Sequence, residues 1–363
     1  MRKMSRRNFV KTMAVSSATL MAPVGVLAMT PMKNKQTFPR SFSTSSSDFY
    51  FVHLTDQHVR SKRMGDKGYK KCIESVNALK PCPELVLMGG DLAFDGNYTD
   101  KEEFIRQIDL YKTITEDLKM PYYNSIGNHD VLGWSSRRKV PVDDPDLGKK
   151  LFMDKLGMKK SYYSIDHKGW HFVILDSIYP IDTDSGPSYE PRIGKEQLEW
   201  LADDLGTNHG KPIVVVTHIA AFYNINTVNG DPEAKAMSPG MVLKDTKELR
   251  LLFERHNVIA LLQGHSHTTE DFKFNGVNYL TSPAVSAAWW GGNWLGFKPG
   301  YTVFHCKGKE LTWERKTYEW EYQLEPEDTL EKKKNTEWDA FLKEQKELME
   351  KEIETGKGLQ KVS

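Results

Sequence analysis

Five strand-like runs of apolar residues in this sequence each end in side chains that can bind a metal ion. In chain order, the motifs at these five ends are Asp56-Gln57-His58, Gly90-Asp91, Gly127-Asn128-His129-Asp130, Thr217-His218 and Gly264-His265-Ser266-His267. Carboxylate, imidazole and amide ligands form a mixed hard and borderline set, which suits Mn, Fe or Zn and not a thiolate site. The set is larger than one ion needs, and it predicts a metal-dependent site.

The order of the elements explains how such scattered motifs could meet. Strand-like and helix-like runs alternate along the chain, which predicts an α/β fold. In open α/β sheets, ligands collect beyond the carboxyl ends of the strands, so we expect the motifs to converge there. Asp56 and His58, like His265 and His267, are spaced so that both side chains lie on one face of an extended segment. The glycines in these motifs should let the backbone turn sharply where the strands end.

The predicted elements fall into two parts. The first strands are predicted at residues 49–55, 84–88, 122–126, 170–176, 213–217 and 258–263, and the helices at residues 68–79, 99–118, 195–205 and 244–255. Later strands at residues 276–281, 300–306 and 310–318 have little helix between them, which suggests an antiparallel part of the sheet system. Long loops are predicted at residues 131–146, 178–193 and 221–240, where lids and specificity elements are common.

As a set, the five motifs resemble the calcineurin-like metallophosphoesterase superfamily. The pattern of that family is Asp-x-His, Gly-Asp, Gly-Asn-His-Asp/Glu, a lone His and Gly-His-x-His, and the chain matches each part in this order. The resemblance covers most of residues 48–318. It implies an α/β fold of two packed, mixed β-sheets flanked by helices, with the metals where the strands end. The activity that it implies is metal-dependent hydrolysis of phosphate esters.

The resemblance also implies two metal ions, divalent or trivalent, of Mn, Fe or Zn. Their implied ligands are Asp56, His58 and His267 for the first ion, Asn128, His218 and His265 for the second, and Asp91 as a bridge between both. Two such cations lower the pKa of a water that bridges them, and the resulting hydroxide attacks phosphorus in line with the leaving alkoxide. The metals also neutralise charge on the equatorial oxygens of the phosphate.

His129 is not needed as a ligand in this pattern. The resemblance makes it the catalytic residue that stabilises the transition state or protonates the leaving oxygen. Either Asp95 or Asp130 could orient its imidazole, although Asp95 could instead simply form a turn with Gly96.

The resemblance implies a small phosphate ester as the substrate, and the motifs favour one branch of the family. Residues 92–95, Leu-Ala-Phe-Asp, lack the tyrosine that purple acid phosphatases carry after the bridging aspartate. Arg137 and Arg138 follow the Gly-Asn-His motif, but no arginine follows Gly90-Asp91 as in the protein phosphatases of the family. The motifs look most like the cyclic-nucleotide phosphodiesterase branch, so we expect a phosphodiesterase. The alternatives are a phosphomonoesterase acting on sugar phosphates or nucleotides, and a non-catalytic metal-binding scaffold.

An aromatic cluster with interleaved glycines follows the last metal-binding motif. Its members are Trp289, Trp290, Trp294, Phe297 and Tyr301. They could form a wall for a base, sugar or lipid, or they could fill the gap between the two sheets. Arg192, Arg137 and Arg138 could clamp a phosphate or be solvated surface charges. The candidate substrate contacts are therefore Trp289, Trp290, Trp294 and Arg192.

The two ends of the chain differ in character from its body. Residues 1–28 resemble a twin-arginine export signal, with Arg6-Arg7, then Phe9 and Lys11, an apolar run, and small residues suited to cleavage. This predicts recognition by the export machinery and a periplasmic location. A linker at 29–47 precedes a catalytic domain at 48–322, and residues 323–363 form a charged tail. Apolar residues in that tail recur at a helical period and predict an amphipathic helix; they are Trp338, Phe341, Leu342, Leu348 and Met349.

Charge and cysteine content set further limits. The formal net charge of +1 gives no reason to expect nucleic-acid binding. The three cysteines match neither a disulfide scaffold nor a zinc knuckle. Cys72 and Cys82 could pair in an oxidising compartment or remain free thiols. The chain contains no phosphate-binding P-loop and no Gly-x-Ser-x-Gly nucleophile motif.

Overall fold

The computed structural model describes residues 48–224 and 240–328 and five residues of the tail. The predicted export signal and linker, most of the predicted 221–240 loop and the apolar positions of the predicted tail helix lie outside the described residues. Tail residues Ala340, Lys343, Glu344, Glu347 and Lys351 are helical and exposed. Within the described ranges, no helix combines the length and apolar character that a membrane span requires.

Residues 48–224 and 240–328 contain thirteen strands and five α-helices, besides three short 3-10 helices. The strands are β1 (Asp48–Leu54), β2 (Leu85–Met88), β3 (Tyr122–Asn124), β4 (Tyr163–His167), β5 (Trp170–Ile174), β6 (Ile178–Thr183), β7 (Gly186–Pro191), β8 (Ile213–Val216), β9 (Val258–Gln263), β10 (Glu270–Phe274), β11 (Val277–Thr281), β12 (Gly300–Lys307) and β13 (Glu310–Thr317). The helices are α1 (Gly65–Asn77), α2 (Lys101–Thr115), α3 (Lys150–Leu156), α4 (Lys195–Thr207) and α5 (Thr246–Arg255).

The strands form two mixed sheets and a separate hairpin. The first sheet has the order β13-β12-β1-β2-β3, with β1, β2 and β3 parallel and the later strands antiparallel. The second has the order β10-β11-β9-β8-β5-β4, with parallel pairing from β5 to β11 and an antiparallel strand at each edge. The predicted α/β class with two mixed sheets is therefore confirmed.

The core explains why these runs form a two-sheet structure. Strands β2 and β8 are buried along their whole length, as expected for parallel strands covered on both faces. Phe49 and Phe51 of β1 point between the sheets, where their rings meet Phe172 of β5 edge-on at 6.3 and 5.2 Å. The outer faces are covered by helices, and α1 contributes Tyr69 and Ile73 from one side of an amphipathic pattern.

Some elements differ from the sequence-based predictions. The predicted loop at 178–193 is largely a β-hairpin, β6–β7, although it contains prolines at 180, 187 and 191, which are uncommon inside sheets. Strands β4 and β10 and helix α3 were also not predicted; α3 has only seven residues, too few for a clear period. Residues 131–146 form neither helix nor strand, as expected.

Cys72 is buried and Cys82 is exposed, and both are free thiols.

Candidate metal centre and active site

The carboxyl ends of β1, β2, β3, β8 and β9 meet at one edge of the two sheets, and the metal-binding motifs meet with them. The backbone N–H of Asp56 donates to Gly90 O (3.0 Å), and that of His58 donates to Asp91 O (2.8 Å). The two sheets are joined where His265 N–H donates to both carboxylate oxygens of Asp56, at 3.0 and 3.1 Å. This edge therefore brings together residues from all five motifs.

Asp56, His58 and His267 form the first group of ligands, and all three are buried. The Nε2 atoms of His58 and His267 lie 3.1 Å apart, and His267 Nε2 is 3.4 Å from Asp56 Oδ1. Thr55 holds the second carboxylate oxygen of Asp56, because its hydroxyl donates to Oδ2 at 2.7 Å. The side chains that could hold the first ion are therefore already assembled.

Asp91, His218 and His265 form the second group, and Asn128 lies beside it. His218 Nε2 is 3.1 Å from Asp91 Oδ2 and 3.2 Å from the amide oxygen of Asn128. The same Oδ2 atom of Asp91 is 3.5 Å from His58 Nε2 in the first group. Asp91 thus lies between the two groups and contacts a histidine of each.

Backbone carbonyls orient three of these imidazoles. The acceptors of the Nδ1–H groups are Phe94 O for His58 (3.1 Å), Gly89 O for His218 (2.9 Å) and Ala287 O for His267. A carbonyl oxygen can only accept, so Nδ1 carries the proton of each neutral ring and Nε2 keeps its lone pair. Metal-binding histidines are usually held in this way.

The short distance between the His58 and His267 rings indicates whether a metal ion fits between them. Two unprotonated Nε2 atoms that face each other at 3.1 Å repel, unless a cation binds both lone pairs. Ligand atoms that share one transition-metal ion at about 2.0–2.2 Å have mutual separations of roughly this size. Both groups combine imidazole with carboxylate, and the second adds an amide oxygen, so the donors fit Mn, Fe or Zn.

The ligand side chains of the centre differ in how readily they hold a proton. Burial lowers the pKa of His58 to about 3 and that of His265 to about 4, so both rings are neutral. Burial alone would raise the pKa of Asp91, but His218 and His129 more than offset this and hold it well below the usual range. Burial alone would lower the pKa of His218, whereas Asp91 raises it to about 9. A proton and a metal therefore compete for His218.

The ligand residues themselves make the sharp turns at the strand ends. Five of them have a left-handed backbone: Asp56 (φ 56°), His58 (φ 43°), Asp91 (φ 54°), His265 (φ 70°) and His267 (φ 56°). Side chains rarely adopt this conformation, and such strain persists where the surrounding structure holds it, commonly at functional sites. The first, second and fifth motifs therefore share a strained backbone as well as metal-competent residue types.

The glycines of the motifs mainly allow neighbouring side chains to pack closely against the backbone, and only Gly90 makes the expected turn. Gly90 has the expected positive φ of 93°, but Gly127 has a φ of −100° and Gly264 is not left-handed either. A Cβ on Gly127 would lie 2.1 Å from Asp91 Oδ1, and one on Gly264 would lie 2.1 Å from Thr55 Oγ1. The expectation that glycines turn the chain is therefore wrong at these two positions, where a side chain would displace the Asp91 carboxylate or the Thr55 hydroxyl that holds Asp56.

His129 lies beside the metal groups and contacts Asp95. Its ring centroid is 5.0 Å from that of His58, its side chain is 23% exposed, and its Nδ1 is 3.3 Å from Asp95 Oδ1. Burial alone would lower the pKa of His129, but Asp91 and Asp95 raise it to about 9. The backbone N–H of His129 also donates to Asp91 Oδ1 at 2.7 Å. Asp95 is thus the carboxylate that orients this imidazole.

Asp130, the other carboxylate considered for that role, holds the backbone instead. It accepts hydrogen bonds from the N–H groups of Leu92, Ala93 and Gly127, each at 2.9 Å. Burial and the nearby Asp91 raise its pKa to about 7. Asp130 therefore joins the loops after β2 and β3, whereas Asp95 both contacts His129 and forms the turn expected from its sequence, by accepting from Asn97 N–H at 2.9 Å.

The aromatic cluster divides between the site and the core. Trp289 is partly exposed and stacks on His267 with ring centroids 4.3 Å apart, and Trp294 meets Trp289 edge-on at 5.1 Å. Trp290 is 1% exposed, and its indole N–H donates to Gln57 O and His58 O. The structure thus gives Trp290 a packing role beneath the first motif, not a place as a substrate contact.

Two further members of the cluster also have structural surroundings. Tyr301 is 1% exposed, and its hydroxyl lies 2.8 Å from Ser75 Oγ. Phe297 pairs with Trp294 through backbone hydrogen bonds of 2.7 and 3.0 Å. Tyr301 therefore fills the space beneath α1, and Phe297 shapes the turn that carries Trp294.

The three candidate arginines lie outside the metal groups. Arg192 pairs with Glu190 (2.5 Å) and borders a groove between α4 and α5 that contains none of the metal ligands. Arg138 donates to Gly133 O, Ser185 O and Pro187 O, and so ties the loop after His129 to the β6–β7 hairpin. Arg137 stacks over Tyr98 at 4.5 Å. The structure therefore does not bring Arg192 to the site, and it gives Arg138 a fastening role.

Two residues that hold the site were not singled out from the sequence. Asn97 donates its amide to Asn128 O at 2.5 Å and so holds the loop of the second group. Arg63, which is 7% exposed, donates to Trp289 O at 3.1 Å beside the first group. Neither lies in a recognisable motif, and burial of a charged residue is visible only in three dimensions.

Comparison with known proteins gives the family. Residues 49–269 match the family model described as "Calcineurin-like phosphoesterase". A "Probable cyclic nucleotide phosphodiesterase" of Xenorhabdus bovienii is 24% identical over 281 residues, which cover 70% of this chain and 98% of the relative. A "Probable glycerophosphodiester phosphodiesterase" of Arcobacter nitrofigilis is 24% identical, covering 65% and 78%. A 3',5'-cyclic adenosine monophosphate phosphodiesterase of Haemophilus influenzae is 23% identical, covering 63% and 68%.

The family match spans all five motifs, from the first aspartate to the last histidine. It agrees with the two mixed sheets and with the two groups of metal-competent side chains at their shared edge. The chain belongs to the calcineurin-like phosphoesterase family and is a metal-dependent hydrolase of phosphate esters.

Proposed function

We propose that the protein is a phosphodiesterase with a dinuclear centre of Mn, Fe or Zn. Asp56, His58 and His267 would hold one ion, and Asn128, His218 and His265 the other, with Asp91 shared between them. The observation that carries this proposal is the position of Asp91 Oδ2, which is 3.5 Å from His58 Nε2 and 3.1 Å from His218 Nε2. When bound, the ions supply a water activated near neutral pH and neutralise charge on the phosphoryl oxygens.

His129 is proposed as the general acid. Asp95 holds its Nδ1–H, so Nε2 is the nitrogen left to donate a proton to the leaving alkoxide. Nε2 has no hydrogen-bond partner within 48–224 and 240–328, and the partly exposed ring is open to an incoming ester. Asp95 therefore orients the acid and stabilises its protonated form, and it does not itself contact the substrate.

Three relatives from different bacteria bear the names of phosphodiesterases, and this supports a diester over a monoester. A diester carries an organic group on each side of phosphorus, so it needs room beside the acid and beside the metals. Trp289 and Trp294 offer aromatic surface on the His267 side of the centre. They are the proposed contacts for a base, ring or apolar headgroup of the ester.

Export is proposed on the twin-arginine motif alone. Arg6-Arg7, Phe9 and Lys11 precede an apolar run and a small-residue cleavage region. Replacing both arginines by lysine should keep the protein in the cytoplasm, as measured by cell fractionation against a periplasmic marker. Unchanged periplasmic recovery of the double variant would reject the signal assignment.

Hydrolysis of bis(p-nitrophenyl) phosphate against p-nitrophenyl phosphate tests the function. Metal-stripped protein would be assayed with Mn²⁺, Zn²⁺, Fe²⁺ or no metal, with Asp91→Asn as the variant that keeps shape but loses the shared charge. Diester turnover at least tenfold above monoester turnover, lost in the variant, is the expected result. Monoester preference would favour a sugar-phosphate or nucleotide phosphatase. Two bound ions without turnover of either ester would favour the scaffold alternative.

A further inference from the structure

Arg63 is a buried arginine that binds residues 325–328, just beyond the predicted end of the catalytic domain at residue 322. Its Nε and Nη2 donate to the two carboxylate oxygens of Asp328, at 2.8 and 2.7 Å. The Arg63 and Asp328 side chains are 8% and 11% exposed. The backbone N–H of Arg63 donates to Glu325 Oε1 at 3.1 Å, and Glu325 N–H donates to Asp328 Oδ2 at 2.9 Å. Two-pronged, charge-assisted pairs of this kind are among the stronger and more directional hydrogen bonds in proteins.

The same guanidinium holds the loop that contacts the first ligand group. Arg63 Nη1 donates to Trp289 O at 3.1 Å. Trp289 stacks on His267 with centroids 4.3 Å apart, and its ring is 5.8 Å from that of His58. The neighbouring Trp290 donates its indole N–H to His58 O at 2.9 Å. One continuous set of contacts therefore runs from residues 325–328 to both histidines of the first group.

The backbone at both ends of this link is strained. Arg63 and Met64 have φ values of 55° and 52°. On the facing loop, Ala287, Trp289 and Trp290 have φ values of 46°, 49° and 68°. Left-handed conformations of residues with side chains persist only where surrounding contacts hold them. The Arg63 hydrogen bonds are contacts of this kind, because they join the two strained segments to each other and to Asp328.

We propose that Arg63 is a positioning residue of the metal centre, and that residues 325–328 form part of the active-site support. Without the paired hydrogen bonds to Asp328, the Arg63 guanidinium is no longer held in one orientation. The loop that carries Trp289 can then move away from His267. The orientation of His267 is then less well defined, so the first group binds its ion more weakly. Within 48–224 and 240–328, the second-group side chains make no hydrogen bond or ring contact with this loop, so the affinity of that group should not change.

This inference rests on the proposed assignment of His58 and His267 as metal ligands. The full chain would be compared with Asp328→Asn, which keeps the side-chain size, and with Arg63→Lys, which keeps the charge; both lose the paired hydrogen bonds between Arg63 and Asp328. The control is Asp271→Asn, which removes a more exposed two-pronged pair, with Arg315, where the edge strands β10 and β13 approach each other. Mn²⁺ dissociation constants from titration calorimetry, unfolding temperatures and the kcat and KM for bis(p-nitrophenyl) phosphate would be measured for each protein.

Asp328→Asn should weaken one of the two Mn²⁺ sites by about tenfold, the lower end of the effect of removing a residue that supports a metal ligand. Asp271→Asn should leave both constants within about twofold, even if it lowers the unfolding temperature. Combining Arg63→Lys with Asp328→Asn should add little to either single change, because both remove the same contact.

The outcomes separate this inference from the proposed function. Unchanged constants for both Mn²⁺ sites in Asp328→Asn and Arg63→Lys, with Asp91→Asn still losing metal, would reject the positioning role alone. Normal Mn²⁺ binding by Asp91→Asn would reject the dinuclear assignment itself. If Asp328→Asn does not fold, Arg63→Lys carries the test, because it keeps the positive charge opposite Asp328.

Discussion

The Nε2 atoms of His58 and His267 lie 3.1 Å apart, and both rings donate their Nδ1–H groups to backbone carbonyls. This contact is repulsive in the metal-free protein and becomes favourable when a cation binds both nitrogens. We therefore expect Mn²⁺ to raise the unfolding temperature above that in EDTA, as measured by scanning calorimetry. An ion at 100 times its dissociation constant stabilises the fold by about 2.7 kcal/mol per site.

His58→Ala is the control for this prediction. It removes one nitrogen of the first group and leaves the His218 and His265 nitrogens of the second, so it should lose about half of the Mn²⁺-induced rise. Identical unfolding temperatures of the wild-type protein in EDTA and in Mn²⁺ would contradict a metal centre at this edge of the sheets.

Removal of the proposed general acid should affect esters according to their leaving group. His129→Ala should slow hydrolysis of a dialkyl phosphodiester, which must expel an alkoxide, by about 10²- to 10⁴-fold, the usual contribution of a positioned acid. Expulsion of p-nitrophenolate needs little protonation, so turnover of bis(p-nitrophenyl) phosphate should fall much less. Asp95→Asn should follow the same pattern more weakly, because it removes only the group that orients Nδ1. Equal losses on both esters would argue against proton donation.

The two tryptophans Trp290 and Trp294 should respond differently to replacement. Trp290 is buried against α1 and beneath His58, so Trp290→Ala should lower the free energy of unfolding by about 3–5 kcal/mol, as measured in urea. Trp294 is partly exposed, so Trp294→Ala should leave folding largely intact and raise KM for an aromatic diester. An unchanged KM for that diester would remove Trp294 from the proposed substrate contacts.

His171 should make stability depend on pH at a place remote from the metal centre. Its Nδ1 is 2.8 Å from Asp166 Oδ1, and its Nε2 is 2.7 Å from Asp204 Oδ2. Burial lowers its pKa, but Asp204 and Asp166 outweigh burial and raise it above the ordinary 6.5. Because the folded pKa is the higher one, the stabilisation is complete below pH 6.5 and is lost as pH rises through the raised value.

The replacement His171→Asn tests whether stability falls as the pH rises through the pKa of His171. Urea unfolding of the wild-type protein and the variant should differ most near pH 5.5, and the difference should shrink on the alkaline side of the raised pKa. A difference in unfolding free energy that stays constant from pH 5.5 to 9 would show that His171 acts through packing alone.

Local pattern was sufficient to predict the strands that carry the metal ligands. Runs such as Ile213–Val216 and Val258–Gln263 are apolar because parallel strands are covered on both faces, and the polar residue that follows each run marks the strand end. The α/β class could therefore be predicted from residue type and order along the chain, and the two packed mixed sheets were implied by the resemblance of the five motifs to the family. The meeting of Asp56 with His267 followed from the rule that strand ends share one edge.

Contacts between side chains distant in sequence were decided only by the tertiary structure. Nothing local distinguishes Asp95 from Asp130, yet packing turns one toward His129 and the other toward three backbone N–H groups. Likewise, adjacent Trp289 and Trp290 have the same chemistry, and only their left-handed backbone sends one to His267 and the other into the core. Arg63 and Asp328 are separated by 265 residues, so no periodicity could pair them. Residue types along the chain determine which groups can bind metal, whereas packing determines which neighbours hold those groups in place.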